Sequence, residues 1–185
     1  AQTQTAGYKI IVEAANKVFL ERRYYLRLLK EQSTDGMIYM AASLNDLFLS
    51  DMEKEPYPFV LLGNVANNVS LPCVRSDDFV GAKMATQHLI SLGHKTIGHV
   101  AGVRTTSQGF ERTRGYEAAM NEAGLVIQPP WIVDGDFDMY QAARLTPDLL
   151  KANVTAIFAA SDVMAYGVLR TLDQLGRRVP DDIAV

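Results

Sequence analysis

The sequence predicts an α/β fold of two Rossmann-like lobes, each an incomplete parallel sheet flanked by helices. Three observations lead there. Short apolar runs of strand length alternate with helix-length segments along the whole chain, the pattern of repeated β-α-β units. The clearest unit is Ala156-Ile-Phe-Ala-Ala-Ser-Asp-Val-Met-Ala-Tyr-Gly167. It reads as a buried strand that breaks at Ser161-Asp162 into a helix with Ala165, Val168, Leu169 and Leu172 on one face. Finally, a polar loop at residues 64–70 divides the alternation into two sets, which places a lobe boundary near Ser76 and gives lobes 1–76 and 77–185.

Taken in order, Ala6-Gly7 closes a helix, with glycine just past the last turn. Residues 8–13 are expected as a strand. Residues 19–32 are expected as one helix, with Tyr25, Leu28 and Leu29 on a common face. Asp35-Gly36 turns the chain into a buried strand at 37–41. Residues 45–53 form a helix that Pro56 and Pro58 stop, and Phe59-Val-Leu-Leu62 is the next strand. After the polar loop, Cys73-Val74 is a short edge strand. Asp77-Asp78 precede a helix at 79–92, where Ala82, Ala85, Leu89 and Leu92 align and Gly93 ends the run. Residues 96–100 are a strand and 104–111 a polar loop. Residues 112–123 are a helix with Tyr116, Ala119, Met120 and Ala123 aligned and Gly124 as its stop. Residues 131–133 form a strand, 134–139 a loop and 140–151 a helix. Beyond the helix that Gly176 ends, Val179-Pro180 is extended and residues 183–185 begin a further strand.

Composition narrows the chemistry. The 185 residues are 48% hydrophobic and 21% charged, enough to bury a core. A net charge of −3 implies no basic face for gripping nucleic acid directly. The single Cys73 allows no internal disulfide and fits a reducing cytoplasm. No apolar run is long enough for a bilayer, and the first residues lack the basic-then-apolar order of a secretory signal. His88, His94 and His99 are not spaced as metal ligands, and His94, following a helix-ending region, is expected to cap carbonyls. No glycine-rich phosphate loop follows a strand, and no G-x-S-x-G elbow occurs. No catalytic residue, metal or cofactor is therefore expected, and the chain is not read as an enzyme.

The Ser161-Asp162 break lies at the carboxyl end of a strand, where open α/β sheets bind ligands. The Asp162 carboxylate can accept hydrogen bonds from a polar guest. It also has a purely structural use, because Ser161 is a good helix N-cap and an acid in the first turn is favoured by the helix dipole.

The run His88-Leu-Ile-Ser-Leu-Gly-His-Lys-Thr-Ile-Gly-His-Val-Ala-Gly102 resembles the core signature of the lactose/galactose-repressor family of bacterial transcription regulators. Other pieces agree in order and spacing: Ala6-Gly-Tyr8, Thr34-Asp-Gly-Met-Ile38, Asp77 with Gly81-Ala82, Arg112-Thr-Arg-Gly-Tyr116, Gly135-Asp-Phe137, Ser161-Asp-Val-Met-Ala165 and Val179-Pro-Asp-Asp-Ile-Ala-Val185. The resemblance implies a two-lobed effector-binding domain of the periplasmic-binding-protein type, working as a homodimer or tetramer. It also implies an operator-binding helix-turn-helix headpiece and a first strand ahead of Ala1, and a returning segment after Val185.

The resemblance further implies a site. Asp162 matches an acid that hydrogen-bonds the effector in sugar- and purine-binding members. Arg112 opens the R-x-x-G-[YFW] helix, and its fork of five donors suits hydroxyls or carbonyls, with a salt bridge as its alternative use. Phe137 falls where an aromatic could stack on a sugar ring or flat base, or simply pack its loop. Asp77 matches an acid at the lobe crossover and could also cap the following helix. Phe79, Ser43, Ser107 and Gln108 complete the expected cleft-facing set, Phe79 having core packing as its alternative. The expected function is a cytoplasmic sensor whose small polar effector, a sugar or a nucleobase, shifts lobe orientation and so operator binding. A solute-binding protein for transport or chemotaxis, and an α/β enzyme acting on a sugar, are the rival readings.

Overall fold

A computed structural model describes residues 5–14, 17–40 and 42–185. The first half holds a three-stranded parallel sheet in the order β1-β2-β3, built from β1 (Met37–Tyr39), β2 (Phe59–Leu62) and β3 (Cys73–Val74). Helices α1 (Lys17–Glu21), α2 (Tyr24–Lys30) and α3 (Leu47–Met52) accompany it. Tyr25, Leu26, Leu29, Tyr39, Leu49, Met52, Phe59 and Leu61 form the core, with Phe48 edge-on to both Tyr25 and Tyr39. Such aromatic contacts add about 0.5–1.5 kcal/mol beyond area burial.

The second half repeats the scheme. Strands β4 (Ile97–Ala101), β5 (Ile132–Asp134) and β6 (Ala156–Ala159) make a parallel sheet in the order β5-β4-β6. The central β4 is buried at all five positions, as expected for a strand covered on both faces. Helices α4 (Asp78–Ser91), α5 (Ser107–Glu122), α6 (Met139–Lys151) and α7 (Asp162–Gln174) flank it. A separate core gathers Ile97, Val100, Tyr116, Met120, Leu149, Ile157, Met164, Val168 and Leu172.

Several expectations are corrected. Residues 8–13 form no strand; they run without regular structure, with Ile10 63% and Val12 87% exposed. A β-prone run becomes a strand only when a ladder partner takes its backbone groups, and this one has none among the described residues. The single helix expected at 19–32 is broken after Glu21, where Arg23 turns left-handed at φ 53°. The turn lets Tyr25, Leu26 and Leu29 bury while Arg23 reaches Asp51 at 2.8 Å. The polar loop expected at 104–111 ends early, because α5 already begins at Ser107. Thr106 caps it, accepting from Gly109 N at 3.2 Å. Gly109 has to be glycine here, since a Cβ would lie 2.1 Å from Val103 O. Trp131 sits in a 3-10 turn, Pro129–Trp131, rather than a strand, because two prolines precede it. The ring of His94 meets Thr155 Oγ1 at 3.0 Å, and not the helix-end carbonyls. The Val179-Pro180 peptide is cis, and Ala184 makes only an isolated parallel bridge to Ala156. Ala41, expected at the end of β1, lies outside the described residues, as do residues 1–4 of the expected first helix.

Candidate functional site

The cavity nearest the expected site is about 420 Å³ and opens at the carboxyl end of β6. Its walls come from the start of α4 (Ser76, Asp77, Asp78, Gly81, Ala82), the end of β6 and its turn (Phe158 to Asp162), Ala165 of α7, and Arg112 of α5. Two helix N-termini thus meet at one hollow, an arrangement that presents polar groups to a guest.

Three of the expected residues converge there: Asp77, Arg112 and Asp162. Asp77 is the N-cap of α4, its Oδ1 accepting from Val80 N at 3.0 Å. Ser161 caps α7 by accepting from Met164 N, at 3.4 Å, and the exposed Asp162 follows in the first turn. Arg112 has settled geometry. Its Nε donates to Asp78 Oδ1 at 2.8 Å, its Nη2 lies 2.7 Å from the same oxygen, and its Nη1 donates to the Ala160 carbonyl. The Asp78 side chain is only 5% exposed. This buried carboxylate was not among the expected residues; its signal in the sequence was the doubled Asp77-Asp78, a cap followed by an acid in the first turn.

Phe137 stands beside the cavity without lining it. Asp136 and Phe137 are consecutive left-handed residues, at φ 55° and 58°; aspartate visits that region more readily than most residues, and Phe137 is the uncommon one. The turn lays the Phe137 ring over Gly102, where any Cβ would clash, and brings its centroid to 5.8 Å from the Arg112 guanidinium carbon. Beneath the β6 wall, His99 is fully buried between the rings of Tyr116 and Phe158, at 5.0 and 4.9 Å. Its Nδ1 meets the Phe158 carbonyl and its Nε2 meets Thr113 Oγ1, at 3.0 and 3.2 Å. Desolvation lowers its pKa to about 4, so the ring is neutral at pH 7.

The remaining expected residues lie elsewhere. Phe79 is outside the cavity, its ring under the Arg114 guanidinium at 5.4 Å. Ser43 is half-buried in the loop before α3, its backbone N–H directed to Asp46 Oδ2 at 3.5 Å. Ser107 and Gln108 bind the first half of the chain. Ser107 Oγ accepts from Val65 N at 2.9 Å and donates to Asn64 Oδ1 at 3.2 Å, while Gln108 N donates to the same oxygen at 3.2 Å. Asn64 Nδ2 in turn donates to Gln108 Oε1 at 3.3 Å, and Leu44 N donates to the Thr105 carbonyl at 2.8 Å. This bracket ties the end of β2 to the start of α5. Among the described residues no group of three or more potential ligands could hold a metal ion, and no helix is long and apolar enough to cross a membrane.

Comparison with known proteins places this geometry in a family. The sequence profile for periplasmic binding proteins and the sugar binding domain of the LacI family matches residues 4–185. The helix-turn-helix-type transcriptional repressor PurR of Photobacterium profundum is 34% identical over 183 residues, covering 97% of this chain and 55% of the relative. Among solved structures, the transcriptional regulator CelR in complex with cellobiose superposes with a TM-score of 0.84 at 30% identity, over 98% of this chain and 57% of that one. The transcription regulator CcpA of Lactococcus lactis superposes with a TM-score of 0.85 at 25% identity, over 98% and 67%. The chain spans about half the length of the curated relatives it matches. With its paired parallel sheets and a profile match over residues 4–185, this chain belongs to the family of periplasmic binding proteins and LacI-type sugar-binding domains.

Proposed function

We propose that the chain is the effector-sensing domain of a cytoplasmic transcriptional repressor, without catalytic activity of its own, that binds a small neutral polar molecule. The observation that carries this is the convergence of Asp77, Arg112 and Asp162 on one hollow at a strand's carboxyl end. The effector would sit there, with Asp162 accepting its hydroxyl or N–H donors and the first lobe closing over it. The division into lobes 1–76 and 77–185 is supported by the two separate cores and sheets. A sugar is favoured, since the family description names a sugar binding domain and one solved neighbour holds cellobiose. A flat nucleobase is the second reading, supported by the Phe137 ring lying beside Arg112. Relatives named as helix-turn-helix-type repressors favour a regulator over a transport protein. The operator-binding headpiece and a homodimeric partner are part of the same proposal.

The test is calorimetry on the full-length protein with a panel of sugars and nucleobases, repeated with Asp162→Ala. A hydrogen bond to a charged acceptor contributes about 1.5–3 kcal/mol, so the substitution should weaken binding roughly tenfold or more. Unchanged affinity would remove Asp162 from the site.

A further inference from the structure

We propose that Asp78 sets the charge preference of this pocket: by engaging Arg112 it leaves the cavity net negative, so that the site takes uncharged polyhydroxyl guests and refuses anions such as phosphorylated ones. The inference rests on the sensor reading for the location of the site, but not on the identity of the effector.

The cavity walls carry three carboxylates, Asp77, Asp78 and Asp162, and one cation, Arg112. Three negative groups against one positive leave a formal charge of −2. An anionic guest could be held by Arg112 only if that guanidinium were free. Its charge is not free: Nε and Nη2 both face Asp78 Oδ1 and Nη1 donates to the Ala160 carbonyl, so the two N–H groups left over belong to a pair whose charge is already answered. Asp78 is fixed in this role by burial and by a third contact, from Ser76 Oγ at 3.4 Å. Breaking a buried ion pair leaves an uncompensated charge, so Arg112 is hard to win away from Asp78. The opposing influence is the positive end of two helix dipoles, which attracts anions. Here both ends are already answered. Asp77 and Ser161 accept from first-turn amides of α4 and α7, and Asp78 and Asp162 occupy those same first turns. Neutral hydroxyls meet no such barrier, because Asp162 accepts from them and no charge has to be brought near the carboxylates.

The same arrangement makes Asp78 the switch. Asp78→Asn keeps the side chain's size but releases the Arg112 charge, which would face the cavity beside the Ala160–Ser161 turn. The experiment follows backbone amides of Ala160, Ser161 and Asp162 by NMR in the full chain while inorganic phosphate is added at constant ionic strength. The native protein should show no saturable shift, and Asp78→Asn should acquire one, at least about tenfold tighter than any residual native response. Asp78→Asn with Arg112→Gln should lose it again. Saturable phosphate binding at these amides in the native protein would overturn the proposal, with or without a foldable variant. So would a folded Asp78→Asn protein that gains nothing. Failure of the Asp162→Ala effector titration would count against the sensor site and leave the phosphate result standing.

Discussion

His99 shows how one side chain holds several elements together. It bonds the β6 carbonyl of Phe158 on one side and Thr113 of α5 on the other, and its ring is stacked against two aromatic rings. Burial holds its pKa near 4, below the ordinary value of 6.5. Between those values the unfolded chain binds the proton and the folded chain does not, so stability rises with pH. The contribution is fully present above about pH 6.5 and is lost progressively as pH falls towards 4, by roughly 3 kcal/mol in all. Urea unfolding at about pH 7 and about pH 4.5 should show this loss in the native protein and a smaller one in His99→Gln. Equal losses in the two would show that His99 is not the group responsible.

Residues differ in how well their sequence announced them. The places of Asp162 and Asp77 at helix starts were legible, because each follows a strand or crossover. Asp78 was not, because adjacent acids look alike until the helix turn decides which one faces α5. Ser107 and Gln108 have the right chemistry for a cleft, but Asn64 takes their hydrogen bonds.

At the scale of elements, the start of α5 governs two things at once. It holds Arg112 one turn in from Ser107, and it presents Ser107 and Gln108 to Asn64. Thr106 closes that end through Gly109 N and donates back to the Val103 carbonyl at 2.7 Å. Thr106→Ala should lower stability by about 1 kcal/mol, read as a shift in the urea midpoint with unchanged slope. A neutral result would mean that Asn64, and not the cap, fixes the helix end. The sequence hid this start because Ser107 and Gly109, on either side of Gln108, are weak helix formers, and packing against Val103 and Asn64 overrides the preference. Strands of the second sheet were legible because buried parallel strands are continuous apolar runs. Residues 8–13 misled because such a run states a preference for pairing and not that a partner is at hand.

For the whole molecule, the feature that joins the two sheets' surroundings is polar. Asn64, 7% exposed, is the hub of the bracket between the end of β2 and the start of α5. Polar contacts exchange partners at little net cost, whereas an apolar interface would resist being opened. A sensor that answers an effector by lobe movement needs a join of this kind, one that binding can bias between two arrangements. Asn64→Ala removes three side-chain bonds of the bracket and should widen the distribution of lobe orientations, seen as a larger radius of gyration by small-angle scattering without effector. An unchanged radius would show that the other contacts suffice.

On the proposed reading, an uncharged polar guest occupies the hollow between the starts of α4 and α7. The most direct measurement is an amide chemical-shift map of the full-length protein saturated with whichever sugar or nucleobase binds in calorimetry. The largest shifts should fall at residues 76–82, at Arg112 and at residues 158–165. Shifts concentrated on any other surface, with those amides unmoved, would place the guest outside this hollow.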